Sequence, residues 1–264
     1  PVLMKSIYGQ DDAVRQVVTA VKRSRAGFRS PGKPVANFLF VGPTGVGKTE
    51  LARTLSQVLG IALHRFDMSE YQEKHAVSRL IGSPPGYVGF DEGGLLTDAI
   101  RKKPHAVLLL DEIEKAHQDI FNILLQIMDY ATLTDNQGRQ ADFRNVILIM
   151  TSNAGARDMN RPAIGFGGGD YTDSAVSDAV ERTFSPEFRN RLDAVVPFGP
   201  LSRNVMEMIV TKELDSVASR LREKSVILDV RPDAVTYLAE QGYSVEYGAR
   251  NASRLVEDRI TNPL

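Results

Sequence analysis

The sequence contains no cysteine. Disulfides, thiolate metal sites and cysteine nucleophiles are therefore excluded, and a reducing compartment, the cytoplasm, fits the composition. No apolar run approaches the roughly 20 residues that a membrane-spanning helix needs. The first residues, Pro1-Val2-Leu3-Met4-Lys5, lack the layout of a secretory leader. Neither sign of charge is in excess: the net charge is −1, so no overall field draws the chain to nucleic acid or to an anionic membrane. There is no internal repeat and no low-complexity tract. The four histidines, His64, His75, His105 and His117, fall at no metal-ligand spacing and read as structural or surface residues. The chain opens on proline rather than methionine, which reads as part of a longer polypeptide.

What is present is the make-up of a globular protein, 264 residues with 42% hydrophobic and 25% charged side chains, enough for one large domain or two ordinary ones. Val14, Val17, Val18 and Val21 recur at helical spacing within residues 11–26. Short apolar runs of strand length follow at residues 37–41, 63–66, 106–110, 146–150 and 195–198, with helical patterns between them at about 48–59, 95–101 and 120–129. Continuous apolar strands alternating with helices predict a parallel sheet covered on both faces, an α/β fold. Residues 82–94 and 156–175 are rich in glycine and read as long loops, and Thr134 to Arg139 reads as turn. From about Leu201 the pattern becomes helical: a long amphipathic helix, a small strand at Val226 to Val230, then helices at about 232–241 and 248–260. The expected division is a large α/β part, 1–199, and a smaller mostly helical part, 200–264.

The run Gly42-Pro43-Thr44-Gly45-Val46-Gly47-Lys48-Thr49 fits G-x-x-x-x-G-K-[ST]. A strand precedes it and a helix follows, the context in which that motif is a phosphate loop. The glycines let backbone N–H groups turn toward phosphate oxygens, and the helix adds the positive end of its dipole. In that reading Lys48 reaches the β and γ phosphates and Thr49 holds Mg²⁺, so ATP and Mg²⁺ are the expected cofactors.

A second strand ends in Asp111-Glu112. Acids at the C-terminal end of a buried strand sit where open α/β sheets bind ligands. Asp111 suits the Mg²⁺ shell, and Glu112 suits a general base for the attacking water. A two-acid ending favours phosphoryl transfer to water over transfer to another small molecule. Asn153, ending the next strand, is placed to orient that water or touch the γ-phosphate, although asparagine is also an ordinary strand-end turn residue.

Gly42–Thr49, Val107–Glu112 with Ile113-Glu114-Lys115-Ala116-His117, and Thr151-Ser152-Asn153 together resemble the AAA+ P-loop ATPases of the Clp chaperone branch. Arg79 to Gly89 and Phe184 to Asp193 resemble that branch's second ATPase module, in its ClpA-type members, and the likeness runs from Ile7-Tyr8-Gly9-Gln10 to Tyr247-Gly248-Ala249-Arg250. The resemblance implies that Ile7 and Tyr8 pack around adenine, that Arg191 projects into a neighbouring subunit's ATP site, and that Arg250 is a sensor arginine on the small domain. It implies that Gly86-Tyr87-Val88-Gly89 is an axial pore loop gripping unfolded or tagged protein substrates. It further implies that Ile164-Gly165-Phe166 docks on a ClpP-type peptidase, and that the assembly is a homo-oligomer, a hexamer. The implied activity is ATP-driven unfolding that feeds the peptidase. A ClpB-like disaggregase without a peptidase is the alternative within the branch. A nucleic-acid motor has no basic or aromatic strand-binding feature behind it. The family's small domain continues with strand structure beyond the point where this chain stops, so the small domain is expected to be incomplete here.

Overall fold

A computed structural model describes residues 2–82, 93–156, 170–243 and 248–262. The expected pore loop at Gly86–Gly89 and the expected docking tripeptide Ile164–Phe166 lie outside these residues.

The apolar runs at 37–41, 63–66, 106–110, 146–150 and 195–198 are strands of one sheet. In chain order the strands of the molecule are β1 (Ala36–Val41), β2 (Ala62–Asp67), β3 (Ala106–Asp111), β4 (Thr132–Thr134), β5 (Gln140–Asp142), β6 (Val146–Ser152) and β7 (Ala194–Pro197). Five of them form a sheet in the order β2-β3-β6-β1-β7, and every pairing in it is parallel. The central strands β1, β3 and β6 are buried along their whole length, whereas the edge strands β2 and β7 are largely half-buried. Their side chains alternate between two cores. Phe38, Phe40, Val107, Leu109, Ile147 and Ile149 face one core. Leu39, Val41, Leu108, Leu110, Leu148 and Met150 face the other. Because both faces are covered, a period-2 strand reads as an unbroken apolar run.

Helices at Asp11–Arg25, Lys48–Leu59, Leu95–Lys102 and Gln118–Tyr130 occupy the stretches with helical spacing. The phosphate-loop helix ends where Gly60, at φ 64, takes the left-handed conformation that closes it. The helices Arg203–Arg222, Pro232–Gly242 and Ala249–Val256 pack on one another. Met206, Val210, Leu214, Leu238 and Val256 join the same core as Phe38 and Phe40, which carries this helical part against the sheet.

Two local expectations are corrected. Residues 226–230 form no strand. Leu228 and Val230 pack on the core while Ile227 is 87% exposed, and no neighbouring strand among the described residues offers them a ladder. A helix, Asp170–Thr183, covers the end of the glycine-rich stretch assigned to loop, with Val176 and Val180 buried. The stretch Thr134 to Arg139 holds the expected turn, at the tip of a β4–β5 hairpin whose three-residue strands are too short for alternation to register in the sequence. The helix Lys74–Ile81 was also not legible: it has only eight residues and no side-chain cap.

Candidate functional site

Parallel strands end together, and here the ends of β1, β3 and β6 bring three motifs to one edge. β1 runs into the Gly42–Thr49 loop. Asp67 of β2 stands opposite Asp111 of β3. Met150 of β6 stands opposite Leu110, which sets Thr151 level with Asp111. A cleft of about 1070 Å³ opens there, lined by Thr44 through Thr49, Asp111, Glu112, Asn153, Ile7, Tyr8 and Arg250 among others.

Lys48 is only 7% exposed. Its Nζ donates to the carbonyls of Gly42 and Pro43, the latter at 2.7 Å, and to Asn153 Oδ1 at 3.0 Å. All these acceptors are neutral. Burial lowers its pKa from 10.5 to about 8, against the opposing pull of Glu114 and Asp111. A buried ammonium without a direct anionic partner, at the head of a helix, suits a polyanion such as a nucleotide phosphate chain. Gly47, at φ 106, lets the loop turn directly into the helix at Lys48, a conformation that other residues seldom take.

Asp111 is 5% exposed and fully engaged. Its Oδ1 accepts from Thr49 Oγ1 at 3.2 Å and from Thr151 Oγ1 at 3.0 Å. Its Oδ2 accepts from Arg65 Nε at 2.7 Å. Thr49 and Asp111 thus converge two hard oxygen ligands on one point, a donor set that suits Mg²⁺ completed by waters and phosphate oxygens. Glu112 follows in the left-handed region, φ 57 and ψ 50, with its N–H donating to Thr151 Oγ1 at 3.1 Å. Its carboxylate pairs with Lys115. The N–H of Asn153 donates to Glu114 Oε1 at 2.9 Å, which fixes the end of β6 against the turn after β3.

The rest of the cleft wall comes from the ends of the chain. Gly248, at φ 54, lies so close to the phosphate loop that a Cβ there would sit 2.7 Å from the carbonyl oxygens of Thr44 and Gly45. That approach lets Ala249 N donate to Gly45 O at 3.0 Å and sets Arg250 on the cleft beside Lys48, whose proton it disfavours. Lys212 of the long helix donates to Ser6 O at 3.2 Å and lies 5.8 Å from the Tyr8 ring centre. Gln10 Nε2 donates to Gly199 O at 2.9 Å and to Val46 O at 3.3 Å, so one amide ties the segment after Tyr8 to the loop and to the end of β7.

Arg191 is not part of this cleft. Its backbone carbonyl lies by Asn37 at the start of β1, the opposite end of that strand from the loop. Its side chain pairs with Asp129 at 2.7 Å and Glu187 at 3.4 Å, and bonding to Asp129 raises its pKa. Arg65, Thr151, Glu114, Lys115 and Lys212 were not singled out for the site from the sequence. The nearness of Lys115 and Glu114 to Glu112, and of Thr151 to Asn153, was a signal, whereas Arg65 and Lys212 reach the site through pairing and packing of distant segments.

Residues 33–195 match the family profile described as "AAA domain (Cdc48 subfamily)". Residues 201–264 match the one described as "C-terminal, D2-small domain, of ClpB protein". The chain is 55% identical to a ClpA homolog protein of Fuscovulum blasticum over 99% of its length and 33% of the relative's. It is 48% identical to the chaperone protein ClpB of Rhodopirellula baltica over 99% of its length and 30% of the relative's. It is 50% identical to ClpB of Staphylococcus epidermidis over 100% of its length and 31% of that chain. The chain thus spans about a third of the length of these curated relatives. A buried lysine on a phosphate loop, two acids at the end of β3 and similarity along the whole of this chain agree: the chain belongs to the AAA family, as an ATPase module of its Clp chaperone branch.

Proposed function

We propose that this module hydrolyses Mg²⁺-ATP to pull protein substrates through a homo-hexameric ring toward a ClpP-type peptidase in the cytoplasm. The single observation that carries the ATP chemistry is the buried Lys48 ammonium, whose direct partners are all neutral. Phosphate oxygens are the partners this cation lacks, and the amides of Gly42 to Thr49 add donors. Thr49 and Asp111 hold Mg²⁺, which when bound neutralises charge on the phosphates. Glu112 takes the proton of the attacking water, and Asn153 orients that water. Ile7 and Tyr8 pack against adenine, and Arg250 reports the nucleotide state to residues 200–264, which act as a lid on the body formed by 1–199.

Arg191 serves the neighbouring subunit's site. Its position beside Asn37, away from its own cleft, supports that reading. Tyr87, flanked by Gly86, Val88 and Gly89, grips the substrate, and Ile164-Gly165-Phe166 docks on the peptidase. The peptidase reading rests on that tripeptide and on the 55% identity to a ClpA homolog. A ClpB-like motor without a peptidase is the second reading, favoured by the similarity to ClpB chains and to the small domain of ClpB. Deleting Ile164-Gly165-Phe166 from the full-length protein separates them. Loss of peptidase-coupled degradation with retained ATPase supports docking, and undiminished degradation excludes the role given to the tripeptide.

A further inference from the structure

The two acids at the end of β3 are not held by β3 alone. Glu112 has φ 57, a conformation that costs an ordinary side chain free energy and persists only where the surroundings enforce it. Beside the turn bond from Lys115 N to Glu112 O, a hydroxyl on another strand bonds its backbone. Thr151, 3% exposed at the end of β6, accepts the Glu112 N–H at 3.1 Å and donates its own hydrogen to Asp111 Oδ1 at 3.0 Å. One oxygen therefore bonds both the backbone of Glu112 and the carboxylate of Asp111, which Thr49 and Arg65 also hold. Two residues on, just past β6, Asn153 accepts from Lys48. Any shift of the end of β6 is carried to the loop lysine and to both acids at once.

We propose that Thr151 is a positioning residue for hydrolysis. It lines the cleft but acts through Glu112 and Asp111, and makes the work of Glu112 depend on the seating of β6. The inference rests on Glu112 being the general base. Threonine suits the task because its hydroxyl is both donor and acceptor while its β-branched stem packs in a buried strand. Serine keeps the hydroxyl, and valine keeps the shape without it.

The test compares Thr151→Val, Thr151→Ser and Glu112→Gln in the native full-length protein. Thr151→Val is expected to lower kcat 10- to 100-fold with KM for ATP changed less than about threefold, and Thr151→Ser to stay within about threefold of the parent in both. Without nucleotide, amide hydrogen exchange at Glu112 is expected to speed up in Thr151→Val alone. Added to Glu112→Gln, Thr151→Val is expected to cost little more, because both act on one group. Thermal melting of each variant separates this from loss of fold: a Thr151→Val protein that melts like the parent and keeps its kcat overturns the proposal. So do a loss confined to KM and a Thr151→Ser variant as impaired as valine. If Glu112→Gln itself turns over normally, it is the general-base reading that fails, and unchanged exchange at Glu112 in Thr151→Val would overturn the positioning claim separately.

Discussion

Lys48 Nζ donates to Asn153 Oδ1 across 3.0 Å, joining the phosphate loop after β1 to the end of β6. Of the contacts Lys48 makes, this one reaches beyond its own loop. It couples the cation meant for phosphate to Asn153, for which the sequence offered both a role at the γ-phosphate and an ordinary strand-end turn.

Burying Lys48 costs stability. Its folded pKa, about 8, lies below the 10.5 of an unfolded lysine, so the cost is fully present below pH 8 and vanishes as pH rises toward 10.5. The difference corresponds to about 3 kcal/mol, as an order of magnitude. Lys48→Met is expected to abolish nucleotide binding yet raise the stability of the nucleotide-free protein at pH 7. Urea melts at pH 7 and pH 10 check this: the advantage of Lys48→Met shrinks at the higher pH.

Thr49 and Asp111 converge their oxygens within 3.2 Å. Thr49→Val should lower nucleotide affinity about tenfold in the presence of Mg²⁺ and leave it unchanged with a chelator. Titration of a fluorescent ADP under both conditions measures the difference. Equal losses with and without the metal would count against metal holding by this hydroxyl.

Arg191 lies outside its own cleft, paired with Asp129 and Glu187. Arg191→Ala is therefore expected to leave nucleotide affinity within about twofold and to cut hydrolysis about a thousandfold or more, the range of an arginine finger. Mixing it with Glu112→Gln subunits should restore part of the rate, since each variant lacks what the other retains. No recovery in mixed rings that form normally would sink the shared-site reading.

Asp135 is wholly buried at the hairpin tip, bonded to Arg139, Gln137 N and Thr97. Burial pushes its carboxyl up, but hydrogen bonds from Arg139 and Gln137 outweigh that and hold it below 3.8. A lowered folded pKa gives stability that is present above about pH 4 and lost as pH falls further. Asp135→Asn should destabilise by about 2–4 kcal/mol at pH 7 and flatten the fall of Tm between pH 5 and pH 3. A parallel fall in both proteins would show that Asp135 does not titrate in this range.

The sequence by itself determined the local chemistry: the phosphate loop, the acids at 111 and 112, the five strands of the main sheet and most of the helices. These are short-range patterns, in which spacing along the chain is spacing in space. Only the tertiary structure decided which groups share the site. Thr151 meets Asp111 across 40 residues because β3 and β6 pair in a given register. Ala249 meets Gly45 because Gly248 has no side chain to hold them apart. Lys212 reaches Ser6 across 206 residues because an apolar helix face buries itself against the main core. Neither strand register nor helix docking leaves a periodic mark, since each is a choice among many pairings of equally apolar surfaces. Lys48 was legible from the start, but the neutral partners and burial that define its charge were not.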